Sequence, residues 1–199
     1  MLHKALHRAY QAFYKPLNEK SEQEKIFDFL KEVEGNEYTA YVPPVGNSGV
    51  TIGIGVDLGN MNFSRASLPK DVYDQIKVYY GFKRDAAAEL LEAKPLDLSP
   101  AMVDYISQVA ISTHQKELEF WFDRESEVPF RYLALNQKKV LMSVKYQYGD
   151  IRRRTPRFWL FATRGDWQSV YEELMDFGDA FPTRRRKEAA LIKKYLGDK

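Results

Sequence analysis

The sequence predicts an α+β fold, with a small antiparallel β-lobe inserted between a short N-terminal helix and a larger helical lobe. Three observations lead there. Apolar residues recur at helical spacing before Gly35, and again over most of the chain beyond Leu98. Between those stretches, Tyr38 to Phe63 is rich in β-formers and turn residues. The 199 residues, 44% hydrophobic and 14% aromatic, suffice for one packed domain, or one domain of two lobes, and argue against a disordered chain.

Each element has its own signal. Residues 1–20 have mild helical periodicity (Leu2, Ala5, Leu6, Tyr10, Phe13), interrupted at Pro16, and are read as an extension to a domain spanning 21–199. Ser21 with Glu24 makes a capping box, Ile26, Phe27, Phe29, Leu30 and Val33 give the apolar stripe, and Gly35 ends the helix. A β-lobe is expected over about 36–65, as two or three short strands around a central Val50–Gly55, with turn chemistry at Pro43-Pro44 and Gly46-Asn47-Ser48-Gly49. Helical elements are expected from Leu68-Pro69-Lys70-Asp71 and over Arg84–Ala93. The helical lobe is expected over about 98–199. Ser99-Pro100 launches a helix to about Phe122. Leu133–Tyr148 follows, stopped by Gly149, then Pro156–Ala162, Asp166–Met175 and Pro182–Leu196, closed by Gly197.

Composition narrows the function. A net charge of +2 does not demand a nucleic-acid partner. Basic residues do gather late, at Arg152-Arg153-Arg154, Arg157, Arg164 and Arg184-Arg185-Arg186-Lys187. The last run, on a terminal helix, reads first as a solvated face and second as a contact for an anionic polymer. The absence of cysteine excludes disulfides, thiolate metal sites and a cysteine nucleophile. His3, His7 and His114 are too few and too scattered for a histidine-based metal site, and no metal or cofactor is expected, since the two carboxyl groups taken up below suffice for the chemistry. No segment approaches a membrane span, and Met1-Leu-His-Lys-Ala-Leu-His-Arg has no apolar signal core. A protein made in the cytoplasm, without membrane insertion, is expected.

The chemistry concentrates in Glu34-Gly35 and in Gly49-Val-Thr-Ile-Gly-Ile-Gly-Val-Asp-Leu-Gly59. Glu34 falls in the last turn of its helix, where the dipole disfavours the ionised form and suits a general acid. Thr51 and Asp57 follow in the β segment. Two carboxyl groups and a hydroxyl are the parts needed to cut a glycosidic bond. The glycines also admit phosphate readings. A dinucleotide fingerprint fails, because the third glycine is misplaced and no helix starts at the last one. Ile-Gly-Val-Asp-Leu-Gly is similar to the first phosphate loop of actin-like sugar kinases, but those folds need two α/β lobes and the remainder here is mostly helical. Taken alone, Asp57-Leu-Gly reads as a capped tight turn.

Glu34-Gly35 on a first helix, followed by Thr51-Ile-Gly-Ile-Gly in a small sheet, resembles the phage T4-type lysozymes. Ser48-Gly-Val-Thr-Ile-Gly-Ile-Gly-Val-Asp-Leu-Gly59 is closer to the pesticin-like branch, bacterial toxin relatives of those enzymes. The resemblance covers roughly 22–197. Leu135–Gly149 resembles the central buried helix of the lysozyme-like fold, Thr155–Trp159 with Gly165–Trp167 the helix pair that follows, and Arg184–Glu188 the closing arginine-rich helix. T4-type enzymes place a second carboxylate between the glutamate and the threonine, yet residues 38 to 56 contain no Asp or Glu. The pesticin-like pattern puts the aspartate six residues after the threonine, at Asp57.

The resemblance implies an inverting muramidase that hydrolyses the β-1,4 bond between N-acetylmuramic acid and N-acetylglucosamine in peptidoglycan. Glu34 would be the acid, with Thr51 and Asp57 placing and polarising water. Tyr41 and Asn60 are candidates for touching sugar, with hairpin packing as their plainer role. Tyr146, Tyr148, Trp121, Phe122, Trp159 and Trp167 read mainly as core. A lytic transglycosylase, using one glutamate, and a non-catalytic wall-binding module remain alternatives. The expected protein is a monomer and an antibacterial toxin, effector or phage endolysin. It would reach the periplasm or cell wall by a secretion system, bacteriocin uptake or lysis, and a toxin would have a cognate immunity protein.

Overall fold

The computed structural model describes residues 20–198. The extension expected over 1–20, apart from Lys20, and with it His3 and His7, lies outside them. Helix α1, Glu22–Glu34, starts at the expected box: Ser21 Oγ accepts from Glu24 N at 3.2 Å and Ser21 N donates to Glu24 Oε2 at 2.7 Å. It buries Ile26, Phe27, Phe29 and Leu30 and ends at Gly35, whose φ of 81° suits glycine.

Three antiparallel strands follow in the order β1 (Glu37–Tyr41), β2 (Thr51–Gly53), β3 (Val56–Asp57). The central strand is shorter than Val50–Gly55, because Gly53 (φ 60°) and Gly55 (φ 93°) turn the chain. The β1–β2 loop is wet, with Val45 79% exposed at its tip. Helices α2 (Lys70–Ile76) and α3 (Arg84–Ala93) lead into the 26-residue α4, Pro100–Glu125, capped by Ser99 with Pro100 in the first turn. Helix α4 runs three residues past Phe122 before Ser126 ends it; Asp123, in that added turn, accepts from Phe130 N at 2.6 Å.

Helix α5 (Leu135–Tyr148) is the centre of the larger lobe. Val140, Leu141, Met142 and Val144 are fully buried, and the helix contacts α1, α4 and the C-terminal helix. Its two buried lysines are answered at their tips by half-exposed glutamates: Lys138 meets Glu22 at 2.9 Å and Lys145 meets Glu117 at 2.8 Å. Gly149 does not end helical structure for long, because a short α6 (Ile151–Arg154) follows that the sequence reading lacks. Helices α7 (Pro156–Thr163), α8 (Trp167–Met175) and α9 (Pro182–Gly197) complete the lobe. Gly197 is the last residue of α9, not its stop. Phe122, Trp159 and Trp167 are core residues; Trp121, Tyr146 and Tyr148 are half-buried against it. The expected α+β architecture is what the chain adopts.

Two glycines decide whether the β-lobe closes. A Cβ on Gly49 would lie 2.7 Å from Gly59 Cα and would overlap the Phe82 carbonyl oxygen, and a Cβ on Gly59 would lie 2.8 Å from Gly49 Cα. The two backbones and the segment before α3 therefore touch directly. Gly49→Ala is expected to lower stability by about 2 kcal/mol or more through overpacking. Gly197→Ala, which meets nothing within 4 Å, should stay within about 0.5 kcal/mol of wild type. Urea midpoints of the two variants check this.

Candidate active site

Glu34 is the last residue of α1, and the chain enters the sheet three residues later, where Glu37 pairs with Gly53. That junction is clamped. Lys31 Nζ lies 3.3 Å from Asp104 of α4 and 3.1 Å from the Tyr38 hydroxyl, and Asn36 Nδ2 donates to Asp104 Oδ1 at 3.3 Å. The glutamate is thus fixed at the meeting point of α1, the sheet and α4.

The sheet sets out the other candidates in a row. Tyr41 pairs with Thr51, and Thr51 with Asp57, so three adjacent strands present these residues side by side on one face. Three residues of β1 (Tyr38, Thr39 and Ala40) lie between the paired positions Glu37 and Tyr41, against one of β2 (Ile52) between Gly53 and Thr51. This bulge brings Tyr41 into the row. Tyr41 is 39% exposed; burial pushes its hydroxyl pKa up, helped by the charges of Glu37 and Asp57. Thr51 is buried, and its hydroxyl donates to Gly49 O at 3.1 Å.

Asp57 has more partners than a bare turn cap requires. Its Oδ1 accepts from Gly49 N at 2.9 Å and Gly59 N at 2.8 Å, and its Oδ2 accepts from Asn60 Nδ2 at 2.6 Å. Three N–H donors suit an acceptor-only carboxylate. They also dispose of the phosphate-loop reading, because two of the loop's amides already serve the chain's own anion. Asn60, exposed, is committed to this arrangement: it donates to Asn47 O at 3.3 Å and accepts from Lys83. These bonds make it a partner of Asp57 in the turn.

Glu34 has a different environment. Arg184 Nη1 of α9 stands 2.6 Å from its Oε1, which is itself sealed from solvent although the side chain keeps 21% exposure. No N–H is aligned on that oxygen, so the contact is one of charge. Half-buried Tyr146 of α5 is close enough to feel Glu34: burial first, and that negative charge second, push its hydroxyl pKa well up. Among the described residues no hydrogen bond or ion pair joins Glu34 to Thr51 or Asp57.

The solvated reading of the run Arg184–Lys187 holds for exposed Arg186 and is corrected for Arg184 and Arg185. Arg184 and Arg185 are buried at 8% and 2% exposure, held by fully buried Glu188 and by Ser143, while Lys187 pairs with Glu32 at 2.9 Å. The helix phase carries the signal: stepping back by four from the buried Ile192 and Ala189 lands on Glu188, Arg185 and Arg184. Among the described residues no group of three or more acidic or histidine side chains could hold a metal ion, and no helix is long and apolar enough to cross a membrane.

The turn role of Asp57 can be separated from any chemistry. Asp57→Ala orphans two backbone N–H groups and should cost about 1–3 kcal/mol, whereas Asp57→Asn keeps an acceptor oxygen for them and should cost less. Thermal unfolding of the two variants measures the difference.

Residues 25–168 match a family model described as Pesticin, a bacterial toxin homologue of phage lysozyme, C-terminal region. No curated protein matches the chain.

Proposed function

The chain belongs to the pesticin family of phage-lysozyme homologues, and on that premise we propose that it is a muramidase, hydrolysing the β-1,4 bond between N-acetylmuramic acid and N-acetylglucosamine in peptidoglycan. The observation that carries the reading is the Tyr41–Thr51–Asp57 row on a sheet that begins three residues after Glu34. It supplies two carboxyl groups in unlike surroundings, which acid–base cleavage of a glycoside requires. Glu34 gives its proton to the leaving oxygen. A water on the other face donates to Thr51 Oγ1, whose own hydrogen is engaged by Gly49 O, and to Asp57 Oδ2, which has one protein partner. That water attacks the anomeric carbon from the opposite face as the glycosidic C–O bond breaks, gives its proton to Asp57, and so inverts the centre. Tyr41 offers an exposed ring to the sugar, and Asn60 acts through Asp57. The protein works as a monomer on the wall of a target cell, as a toxin, effector or endolysin delivered by secretion, bacteriocin uptake or lysis, with an immunity protein as the partner of a toxin.

Digestion of purified peptidoglycan, followed by mass spectrometry, tests this. Wild type should release reducing muropeptides, and Glu34→Gln and Asp57→Asn should each slow release by roughly a hundred- to ten-thousand-fold. Anhydro ends with an active Asp57→Asn would mean a lytic transglycosylase. Binding without fragments from any folded form would mean a wall-binding module.

A further inference from the structure

Arg184 is oriented from behind. Its Nη2 donates to Ser143 O at 2.7 Å and Ser143 Oγ at 2.9 Å, and its Nε lies 3.2 Å from both Ser143 Oγ and Glu188 Oε1. Ser143 Oγ in turn donates to Glu188 Oε1 at 2.5 Å. The aligned hydrogen bonds of the guanidinium therefore run to α5 and α9, and only its charge faces Glu34. Glu188 is fully buried between two guanidinium groups, with Arg185 Nη1 2.7 Å from its other oxygen. Such a carboxylate, isolated, would be strongly destabilised, and its two arginines are what make it tolerable.

We propose that Glu188 and Ser143 are positioning residues of the active site, which aim Arg184 at Glu34 and share its positive charge, so setting how readily Glu34 keeps its proton. This rests on the muramidase reading of Glu34. The surrounding charges act through the same centre. Asp179 lies 3.4 Å from Arg185 and accepts from the Tyr148 hydroxyl at 2.6 Å; Gln147 also binds Arg185. Lys187 is answered by Glu32, and Lys145 by Glu117. Tyr146 packs edge-on against His114 of α4, whose imidazole pKa is lowered by burial and then by Lys145. Within this set Glu188 alone is an acid in contact with both Arg184 and Arg185.

Neutralising Glu188 leaves more uncompensated positive charge beside Glu34 and stabilises its ionised form. Removing Arg185 does the opposite. A purely structural role predicts neither a shift nor a change of sign. The test is a carbon-13 titration of the Glu34 carboxyl, paired with the pH profile of peptidoglycan hydrolysis. The protein is compared as wild type, Glu188→Gln, Glu188→Asp, Arg185→Gln and Ser143→Ala.

Glu188→Gln should move the Glu34 midpoint, and the alkaline limb of the rate, down by about one pH unit, a tenfold loss of rate on that limb. Arg185→Gln should move both upward. Glu188→Asp should titrate as wild type even if it melts earlier. Ser143→Ala should lower kcat with little effect on KM. A folded Glu188→Gln with an unmoved midpoint overturns the proposal. If Glu188→Gln does not fold, Asp179→Asn decides, since removing that charge beside Arg185 must also move the midpoint down, by a smaller step. A wild type that cuts no peptidoglycan while the midpoints still shift would remove the muramidase reading and leave the coupling standing.

Discussion

One guanidinium joins the C-terminal helix to the first helix and to the core. Arg184 leaves α9, hydrogen-bonds the backbone and hydroxyl of Ser143 in the middle of α5, and places its charge against the last residue of α1. Burying an arginine is costly unless its donors are met. Here the Nη2 donor is met by Ser143, forty-one residues away in sequence, and the charge by Glu34 at the other end of the described chain, so the end of α1 is held only in a completed helical lobe. The position of Glu34 is therefore a tertiary property, although the residue lies near the start of the described chain.

The β-lobe follows a complementary logic. Its acid is positioned locally, by backbone amides two and eight residues away and by a side chain three residues away. The contact between Gly49 and Gly59 brings those amides onto one carboxylate oxygen. The hydrogen bonds that close the turn also fix the Asp57 carboxyl group beside Thr51. The two carboxyl groups thus differ in more than exposure. One contacts a guanidinium from a helix 150 residues away, the other is held by short-range hydrogen bonds within its own turn.

Much of this was legible beforehand, for reasons that differ by residue. The capping box at Ser21 and Glu24, the Ser99-Pro100 start and the β-formers around Thr51 act within a few residues, so α1, α4 and the strand region could be read directly. Helix α6 was missed because a four-residue helix has no room for a periodic pattern, and Gly149 looked like a full stop. The cross-strand row could not be derived either. It depends on the β1 bulge, which is a matter of pairing and leaves no composition signal. Arg184, Arg185 and Glu188 were obscured by their own chemistry: a cluster of charges at a chain end suggests water, and only the apolar phase of Ala189 and Ile192 points inward. Buried ionic groups are where hydropathy is least informative.

The close approach of Gly49 to Gly59 also governs where this chain can change length. Between that contact and the pairing of Tyr41 with Thr51, the β-lobe is fixed in both registers, and Asn47 is engaged through its carbonyl by Asn60. Pro43 to Gly46 is different: it lies outside the strand pairing and projects Val45 into water. Loop closure penalises added residues only weakly. That tip is accordingly the place where an affinity tag, a fluorophore or a passenger peptide can be grafted while the turn around Asp57 keeps its shape.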